Sequence, residues 1–277
     1  AVIVTFALAI GANAAMFGIA DRLLLRPPAH VAEPERVGRL YFTRQTFTGE
    51  GTSPTVNYHT FLAIRDASRT LEAVAAVDEA GVTLGAGATA RRAAASYVTG
   101  GFFRLLGTRP ALGRFLDADD DRAPAGAPVA VIAYGLWQRE LGGDPAAIGR
   151  TITIAGAPYT IVGVAPRGFT GVRMRDVDVW LPMHAAGYDA SLGPDWRTDD
   201  NSYWLDIIGR RRADTTPEQV AAELTTIYRR SYADSARAAE ERPRAELGSP
   251  FAERGPDRAP ARGSDRGLEA SVAVWLV

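Results

Sequence analysis

The densest group of side chains that could bind a metal ion is the acidic run DADDD. Its residues Asp117, Asp119 and Asp121 alternate as the first carboxylate ligands of a calcium-binding loop do. Such a loop needs glycine at its sixth position and a bidentate glutamate at its twelfth, but Arg122 and Pro128 occupy those places. The run is therefore predicted to be a solvated loop, and no metal site is predicted.

A second short motif has the composition of a phosphate-binding turn. The sequence LGAGATA places Gly85 and Gly87 as in a dinucleotide-binding fingerprint, but Ala90 stands at the third glycine position. No helix-length pattern follows the motif, and the chain has no lysine, which a P-loop requires. The motif is predicted to form a β-turn, and no nucleotide or other cofactor is expected.

The histidines His30, His59 and His184 are scattered and form no HxH or HExxH metal-binding group. His59 and Asp66 share one face of a predicted helix, but Ser53 is predicted to cap that helix, so they cannot orient it as a nucleophile. The chain also has no cysteine, which excludes thiolate nucleophiles and disulfides. No catalytic residue is predicted.

The charge of the chain gives no sign of a nucleic-acid partner. All 31 basic residues other than histidine are arginine, 32 residues are acidic, and the formal net charge is −1. The runs Arg91–Arg92 and Arg210–Arg212 have no interleaved aromatic side chains, on which single-stranded nucleic acids stack. These arginines are predicted to solvate the ends of strands.

The first twenty residues are apolar apart from Thr5 and Asn13. A helix of this length rises about 30 Å, the thickness of the hydrocarbon core of a bilayer. A signal peptide has its basic residues before the apolar run, whereas Arg22 and Arg26 follow it. We predict a transmembrane helix over residues 1–26, with a buried core helix and a signal remnant as the alternatives.

The other end of the sequence is also apolar. The run ASVAVWLV has no charged residue, and residues 267–277 are predicted to begin a second span. With no initiating methionine, the sequence is expected to be a fragment of a longer protein. The expected order is span, folded domain and second span.

Strand–helix units bracket the region between the two apolar segments. A strand in VGRLYFT precedes a helix that Ser53 would cap and Pro54 would begin. A strand in YWLDIIGRR precedes a helix with Thr216 as N-cap, Pro217 at its first position and Gln219 completing a capping box. After Arg229 and Arg230 the sequence becomes rich in charge, proline and glycine, which predicts a connector.

The sequence between these units predicts an inserted, largely antiparallel α+β segment. PVAVIAY is a predicted strand, GLWQRELGG a short helix, and GRTITIAGAPYTIVGVAP a β-hairpin that turns at residues 155–158. DVDVWLP is a predicted edge strand that ends at Pro182. Four residues are predicted to pack where the two parts meet, rather than to form a ligand cage: Phe102, Phe103, Leu106 and Phe115.

The order and spacing of several segments resemble permeases of the MacB/FtsX group, especially the duplicated orphan-permease branch. LAIGANAAMFGIADRLLLRPP is similar to the first transmembrane helix of that family and its exit. GGFFRLLGTRPALGRFL, residues 100–116, is similar to the family's NFF–LG–P–GR–F segment. PVAVIAYGLWQRELGGDPAAIGRTITIAGAPYTIVGVAPRGF and DVDVWLP resemble the block and the strand that follow. The resemblance runs through nearly the whole chain.

The resemblance implies an α+β fold, a two-lobed periplasmic domain preceded by one transmembrane helix. Residues 30–95 and 201–262 would supply the two halves of a strand–helix lobe and the connector. Residues 96–200 would form the inserted lobe. Spans would precede and follow them at residues 1–26 and 267–277. The family's strand after Pro243 matches this sequence poorly.

The implied function is that of a non-catalytic permease subunit of an ABC-type transporter. Its periplasmic core domain would couple motion of a transmembrane helix to export or to engagement of an envelope partner. The expected partners are a cytoplasmic ABC ATPase subunit or domain, the lipid bilayer and further transmembrane helices, with a homodimer left open and no nucleic acid.

The expected location is the inner membrane, with residues 30–262 on the periplasmic or extracytoplasmic side. Two alternatives stay open at this stage. One is a membrane-anchored envelope binding module that acts without an ATPase, and the other is a membrane-tethered enzyme.

Overall fold

The computed structural model describes residues 10–11, 27–46, 49–185, 195–199, 202–232 and 235–251, with only the backbone for residues 235–237. None of the helices in this part of the chain is long and apolar enough to cross a bilayer. The predicted spans, residues 1–26 and 267–277, lie outside the described residues except for Ile10 and Gly11, which are helical.

The strands of the described residues join in one mixed sheet. In chain order they are β1 Val37–Thr46, β2 Gly49–Ser53, β3 Thr55–Val56, β4 Leu71–Leu84, β5 Arg91–Val98, β6 Leu112–Gly113, β7 Val129–Ile132, β8 Thr151–Ile154, β9 Ala157–Val164, β10 Val179–Pro182, β11 Leu205–Arg211 and β12 Arg244–Gly248. The order across the sheet is β12-β1-β11-β4-β5-β10-β7-β9-β6. In addition β2 pairs with β1, β3 with β11, and β8 with both β4 and β9.

Five helices lie in the described residues: α1 Tyr58–Ala67, α2 Phe102–Leu106, α3 Tyr134–Leu141, α4 Pro217–Arg230 and α5 Ser235–Glu241. The fold is therefore of the mixed α+β class. Strand β1 pairs with β11 on one side and β12 on the other, so strands from the two ends of the described chain are neighbours.

The sheet has apolar residues on both faces because successive side chains of a strand point to opposite sides. On one face, Leu40 and Phe42 pack with residues of α1 and α4 such as Phe61 and Leu224. On the other face the buried cluster contains α2 and the following residues: Val37, Ala75, Val77, Ile208, Phe102, Phe103, Leu105, Leu106, Phe169 and Trp180. Phe115 is partly buried against this second cluster, so the four residues predicted to pack do so.

The predicted start of α4 is confirmed, whereas that of α1 is wrong. Thr216 accepts a hydrogen bond from the Gln219 backbone amide, and the Gln219 side chain accepts one from the Thr216 amide. At α1 the cap is Asn57, whose side chain accepts from the backbone N–H of Thr60 at 2.9 Å. Ser53 instead ends β2, because the chain stays extended through β3, which pairs with β11.

The inserted region differs from the prediction in strand direction and position. The hairpin of β8 and β9 is confirmed, with its turn at Ala155 and Gly156. However, β10 is not an edge strand: it is wholly buried, parallel to β5 on one side and antiparallel to β7 on the other. Proline has no backbone N–H to donate, but Pro182 is the last residue of β10, so no hydrogen bond is lost from the middle of the strand. The pair β7 and β9 is also parallel, so the region combines parallel pairs with the antiparallel pairs β10–β7, β8–β9 and β6–β9.

Strand β4 is a single strand of 14 residues. The predicted lobe boundary between residues 95 and 96 lies inside β5, which pairs with β4 along its length. The division into lobes stays a prediction. Beyond Pro243, where a connector was predicted, the chain forms β12, which pairs with β1 from Arg39 to Thr43.

Candidate functional site at the lead-in segment

Residues 27–36, which we call the lead-in segment, connect the predicted first span to β1. Pro28 is buried, and a short 3-10 turn, Pro34–Arg36, leads directly into the sheet. His30 and Glu33 have φ angles of 62° and 42°, in the left-handed backbone region that residues other than glycine seldom adopt. Such a backbone persists where surrounding contacts hold it in place.

The centre of the lead-in segment is held by hydrogen bonds to α2 and β11. The backbone N–H of Ala32 donates to the carbonyl oxygen of Leu106 at 2.9 Å. The guanidinium of Arg210, on β11, donates from Nη2 to the Ala32 oxygen and from Nε to the Leu105 oxygen, each at 2.6 Å. One arginine thus ties the lead-in segment to the end of α2.

The close approach at this point requires glycine at position 107. A Cβ atom built on Gly107 would lie 2.7 Å from the Cβ of Ala32, and the φ angle of Gly107 is +65°. Glycine allows this backbone conformation without the steric cost of a side chain. Any larger residue would push the lead-in segment away from α2.

Two further contacts fix the ends of the lead-in segment. At its start, His30 Nε2 lies 2.8 Å from the carbonyl oxygen of Arg167. At its end, Arg36 donates from Nε to the Arg211 oxygen at 2.9 Å and forms ion pairs with Glu33 and Glu72. The segment therefore contacts a loop after β9 at its start, and α2 and β11 in its middle and at its end.

Arg210 is an unusual residue for this role because it is charged and only 5% exposed. Burial lowers its pKa, and the nearby positive charge of Arg36 lowers it further. The Glu33 carboxylate, 3.6 Å from Nη1, offsets part of that repulsion. An arginine stays protonated under such conditions, so the charge is retained and strengthens both hydrogen bonds.

Both ends of the described domain lie at one edge of the sheet. Val37, where the lead-in segment enters β1, pairs with Arg210 near the end of β11. Two residues further along β1, Arg39 pairs with Gly248 at the end of β12. The described chain therefore enters and leaves the sheet at neighbouring positions.

Comparison with known protein families identifies the family of this chain. The family model described as the MacB-like periplasmic core domain matches residues 1–227, more than half of the chain. The chain belongs to the MacB-like periplasmic core domain family. No curated protein matches it.

Solved structures share the fold of this MacB-like domain. A domain of a protein described as a permease from Porphyromonas gingivalis superposes with a TM-score of 0.58 at 16% identity, over 90% of this chain and 99% of that one. The periplasmic region of MacB from Actinobacillus actinomycetemcomitans gives 0.54 at 12% identity, over 83% and 94%. The extracellular domain of the noncanonic ABC-type transporter YknZ from Gram-positive bacteria gives 0.54 at 10%, over 76% and 99%.

The acidic run of this MacB-like domain is only partly solvated, so the prediction of a solvated loop is wrong for two residues. Asp120 and Asp121 are buried. Asp120 accepts two hydrogen bonds from Arg114, at 2.5 and 2.8 Å. Burial opposes ionisation of Asp120, but the bonds from Arg114 and the Asp117 amide outweigh it and lower its pKa. The described residues contain no group of three acidic or histidine side chains able to hold a metal ion.

Asp121 belongs to a buried hydrogen-bond chain that the sequence did not predict. His184 Nδ1 lies 3.0 Å from Asp121 Oδ1, and His184 Nε2 lies 3.0 Å from the Tyr58 hydroxyl. A carboxylate only accepts hydrogen bonds, so His184 Nδ1 is the donor to Asp121, and the other ring nitrogen faces the Tyr58 hydroxyl. All three residues are at most 9% exposed. Their burial favours a role in joining loops rather than in acting on a substrate.

The remaining predicted residues lie apart from one another. His59 and Asp66 are exposed on α1, in agreement with a surface role. The LGAGATA turn joins β4 to β5, and Gly85 and Gly87 line a cleft of about 600 Å³ formed mostly by small side chains. Arg91 pairs with Glu140 on the surface.

The prediction that Arg210–Arg212 solvate a strand end is wrong for Arg210, and a second buried arginine was missed. Arg39 is fully buried and forms an ion pair with Asp206 on the neighbouring strand. Burial opposes its charge, but the attraction of Asp206 outweighs it and raises the pKa of Arg39. A sequence signal existed: a lone charge in the apolar strand VGRLYF is typical of a buried pair.

Proposed function

We propose that this chain is the extracytoplasmic domain of a non-catalytic permease subunit of an ABC-type transporter. In this proposal the domain receives movement from the transmembrane helix that precedes it. It passes that movement on for export or to an envelope partner. In this proposal the energy comes from a cytoplasmic ABC ATPase subunit or domain, since this chain has no lysine for a P-loop.

The observation that carries the proposal is the attachment of the lead-in segment. Movement of a helix reaches a folded domain only if the connection between them is stiff. Contacts at His30, Ala32 and Arg36 hold this connection against Arg167, α2 and β11. A displacement of residues 27–36 would therefore move the sheet rather than be absorbed by a flexible linker.

The position of the two chain ends supports the same proposal. Val37 and Gly248 lie on neighbouring strands at one edge of the sheet. This placement suits a domain that faces the inner membrane from the periplasmic or extracytoplasmic side, with a span at each end. The other proposed partners are the lipid bilayer and the remaining transmembrane helices of the permease.

Reporter fusions at Ala29 and at Arg262 in the full-length protein test the proposed topology. A periplasmic-active reporter is expected to be active at both positions, and a cytoplasm-active reporter at neither. A cytoplasmic result at either position would overturn the proposal. Correct topology in a protein that functions without any ATPase would favour the envelope binding module instead.

A further inference from the structure

The last described residues of the chain cross the face of the sheet that carries Arg39. Residues 249–251, which we call the strap, follow β12 directly. The Tyr41 hydroxyl lies 3.3 Å from the Ser249 carbonyl oxygen and 3.4 Å from that of Phe251, and Arg39 donates from Nε to the Pro250 oxygen at 3.4 Å. The strap is thus held through its backbone carbonyls.

The strap lies very close to β1. A Cβ atom built on Gly248, the residue before the strap, would lie 2.8 Å from the ring of Tyr41. Phe251, at the other end of the strap, is only 6% exposed. The strap is therefore packed, although the three hydrogen bonds that Arg39 and Tyr41 make to it are long.

Arg39, which contacts the strap, belongs to a cluster of four charged side chains: Arg39, Glu79, Arg173 and Asp206. Arg39 pairs with Asp206, which also accepts from Arg173 Nη2 at 3.3 Å, and Arg173 pairs with Glu79. The side chains of Arg39 and Asp206 are 0% and 9% exposed. Burial raises the pKa of Glu79, although Arg173 opposes this shift.

The hydrogen bonding of this charge cluster is incomplete. Within the described residues, Arg39 Nη2 and Asp206 Oδ1 are buried and have no hydrogen-bond partner. Buried charges that lack partners are costly, and their attraction for one another only partly offsets the loss of hydration. Opening the structure above them would restore hydration to Arg39 and Asp206. The closed state of the strap is thus less stable than it would be over fully hydrogen-bonded or apolar groups.

We propose that the strap is a latch that opens locally, and that the charge cluster it contacts through Arg39 makes it releasable. In the closed state Arg39 and Tyr41 hold the strap against β1, and in the open state water reaches Arg39 and Asp206. The strap follows β12 toward the predicted second span, so tension from that side would open it. The part played by tension rests on the proposed function, whereas local opening is a property of the folded domain alone.

Thiol labelling of the full 277-residue chain in detergent tests local opening. The chain has no native cysteine, so Phe251→Cys introduces a single reactive thiol in the strap. Val131→Cys, at a fully buried position of β7, reports global unfolding. Maleimide is expected to label position 251 at least about tenfold faster than position 131, because the long hydrogen bonds that hold the strap allow it to open without global unfolding.

Two variants in the Phe251→Cys background separate a latch from a passive contact. Tyr41→Phe removes the hydroxyl that holds the strap and should raise the labelling rate about fivefold at position 251. Arg39→Met combined with Asp206→Leu removes the buried ion pair and should slow labelling, because opening no longer restores hydration to charges. A strap that is merely bonded to Arg39 would instead label faster when that donor is lost.

Equal labelling rates at positions 251 and 131 would overturn the proposal, as would faster labelling in the Arg39→Met, Asp206→Leu variant. Hydrogen exchange of the unsubstituted chain provides a second measurement if a variant fails to fold. Peptides that contain residues 249–251 should exchange well before those from β7. These measurements use no ATPase and no membrane, so their failure would leave the topology test of the proposed function unaffected.

Discussion

Arg210 and Ala32 are 178 residues apart in the sequence, and Arg210 Nη2 donates a hydrogen bond of 2.6 Å to the Ala32 carbonyl oxygen. This bond joins the lead-in segment to a strand from the other end of the domain. The same guanidinium holds Leu105 at the end of α2. The lead-in segment is thus bonded directly to β11 and, through Arg210, to the end of α2.

Replacing Arg210 by methionine should destabilise the domain by about 3 kcal/mol, because two carbonyl oxygens lose a charged donor at a site where water is largely excluded. Methionine keeps much of the apolar length of the side chain. Urea denaturation of the variant measures the change. Arg212→Met is the matched control, since the Arg212 side chain is 50% exposed and pairs only with Asp214 among the described residues. An equal decrease in the free energy of unfolding in both variants would contradict the role given to Arg210.

Phe103→Ala should cost about 3–5 kcal/mol, the usual range for removing a fully buried phenylalanine. Phe103 is 1% exposed and stacks on Phe115 with ring centroids 4.0 Å apart. Phe115→Ala should cost less because Phe115 is only partly buried. Thermal unfolding checks both values. An unchanged melting temperature for Phe103→Ala would place that ring outside the core and favour the alternative interpretation, in which these aromatic residues form a ligand cage.

The ionised carboxylate of Glu223 on α4 should stabilise the domain, and this stabilisation should be lost in acid. Its carboxylate accepts hydrogen bonds from the Ser68 hydroxyl, the amides of Arg69 and Thr70, and the Thr70 hydroxyl. Burial opposes ionisation of Glu223, but these hydrogen bonds outweigh it and lower its pKa. The stabilisation is therefore complete above the pKa of an unfolded glutamate, about 4.3, and is lost as the pH falls further.

Unfolding free energies of the wild type and Glu223→Gln between pH 7 and pH 3 measure this contribution. The wild type should be more stable at pH 7, and the difference should shrink as the pH falls below about 4. Taking the difference between the two proteins removes the effect of other carboxylates. A difference that stays constant with pH would show that ionised Glu223 contributes nothing.

The acidic run should respond to substitution at a buried aspartate but not at an exposed one. Asp121 accepts from the backbone amides of Gly100 and His184, so Asp121→Ala should cost about 2–3 kcal/mol by leaving buried donors unpaired. Asp119, whose side chain is 83% exposed, should tolerate alanine within about 0.5 kcal/mol. Thermal unfolding measures both, and added calcium should leave the melting temperature of the wild type unchanged. A rise with calcium would contradict the absence of a metal site.

Local sequence signals predicted the elements whose determinants are local. The capping box at Thr216 and Gln219 depends on residues three apart, so the sequence alone places the start of α4. The hairpin turn at Ala155 and Gly156 is likewise a short-range feature. Ser53 was a wrong cap because the pairing of β3 with β11, which keeps residues 55–56 extended, joins residues about 150 positions apart.

Buried polar groups were the least predictable part of the candidate site. Arg210 follows the same sequence pattern as its exposed neighbours, and only the arrival of residues 27–36 on the folded sheet buries it. Asp121 and His184 likewise become partners through the fold, 63 residues apart. The order and spacing of the sequence segments did indicate the family by resemblance, because these depend on the whole sequence rather than on any one contact.

The central claim is that the lead-in segment transmits movement of the preceding helix to the sheet. Hydrogen exchange of the full-length permease with its ATPase in lipid nanodiscs tests it, comparing the nucleotide-free with the vanadate-trapped state. Inserting Gly-Ser-Gly-Ser between Arg26 and Pro27 breaks the stiff connection, and the same insertion between the exposed residues Pro124 and Ala125 is the control.

The account predicts that vanadate trapping changes exchange in residues 27–36, α2 and β11 of the wild type and of the control. The insertion after Arg26 should abolish that change while ATP turnover continues. A change that survives this insertion, or a wild type whose domain exchanges identically in both nucleotide states, would contradict the account.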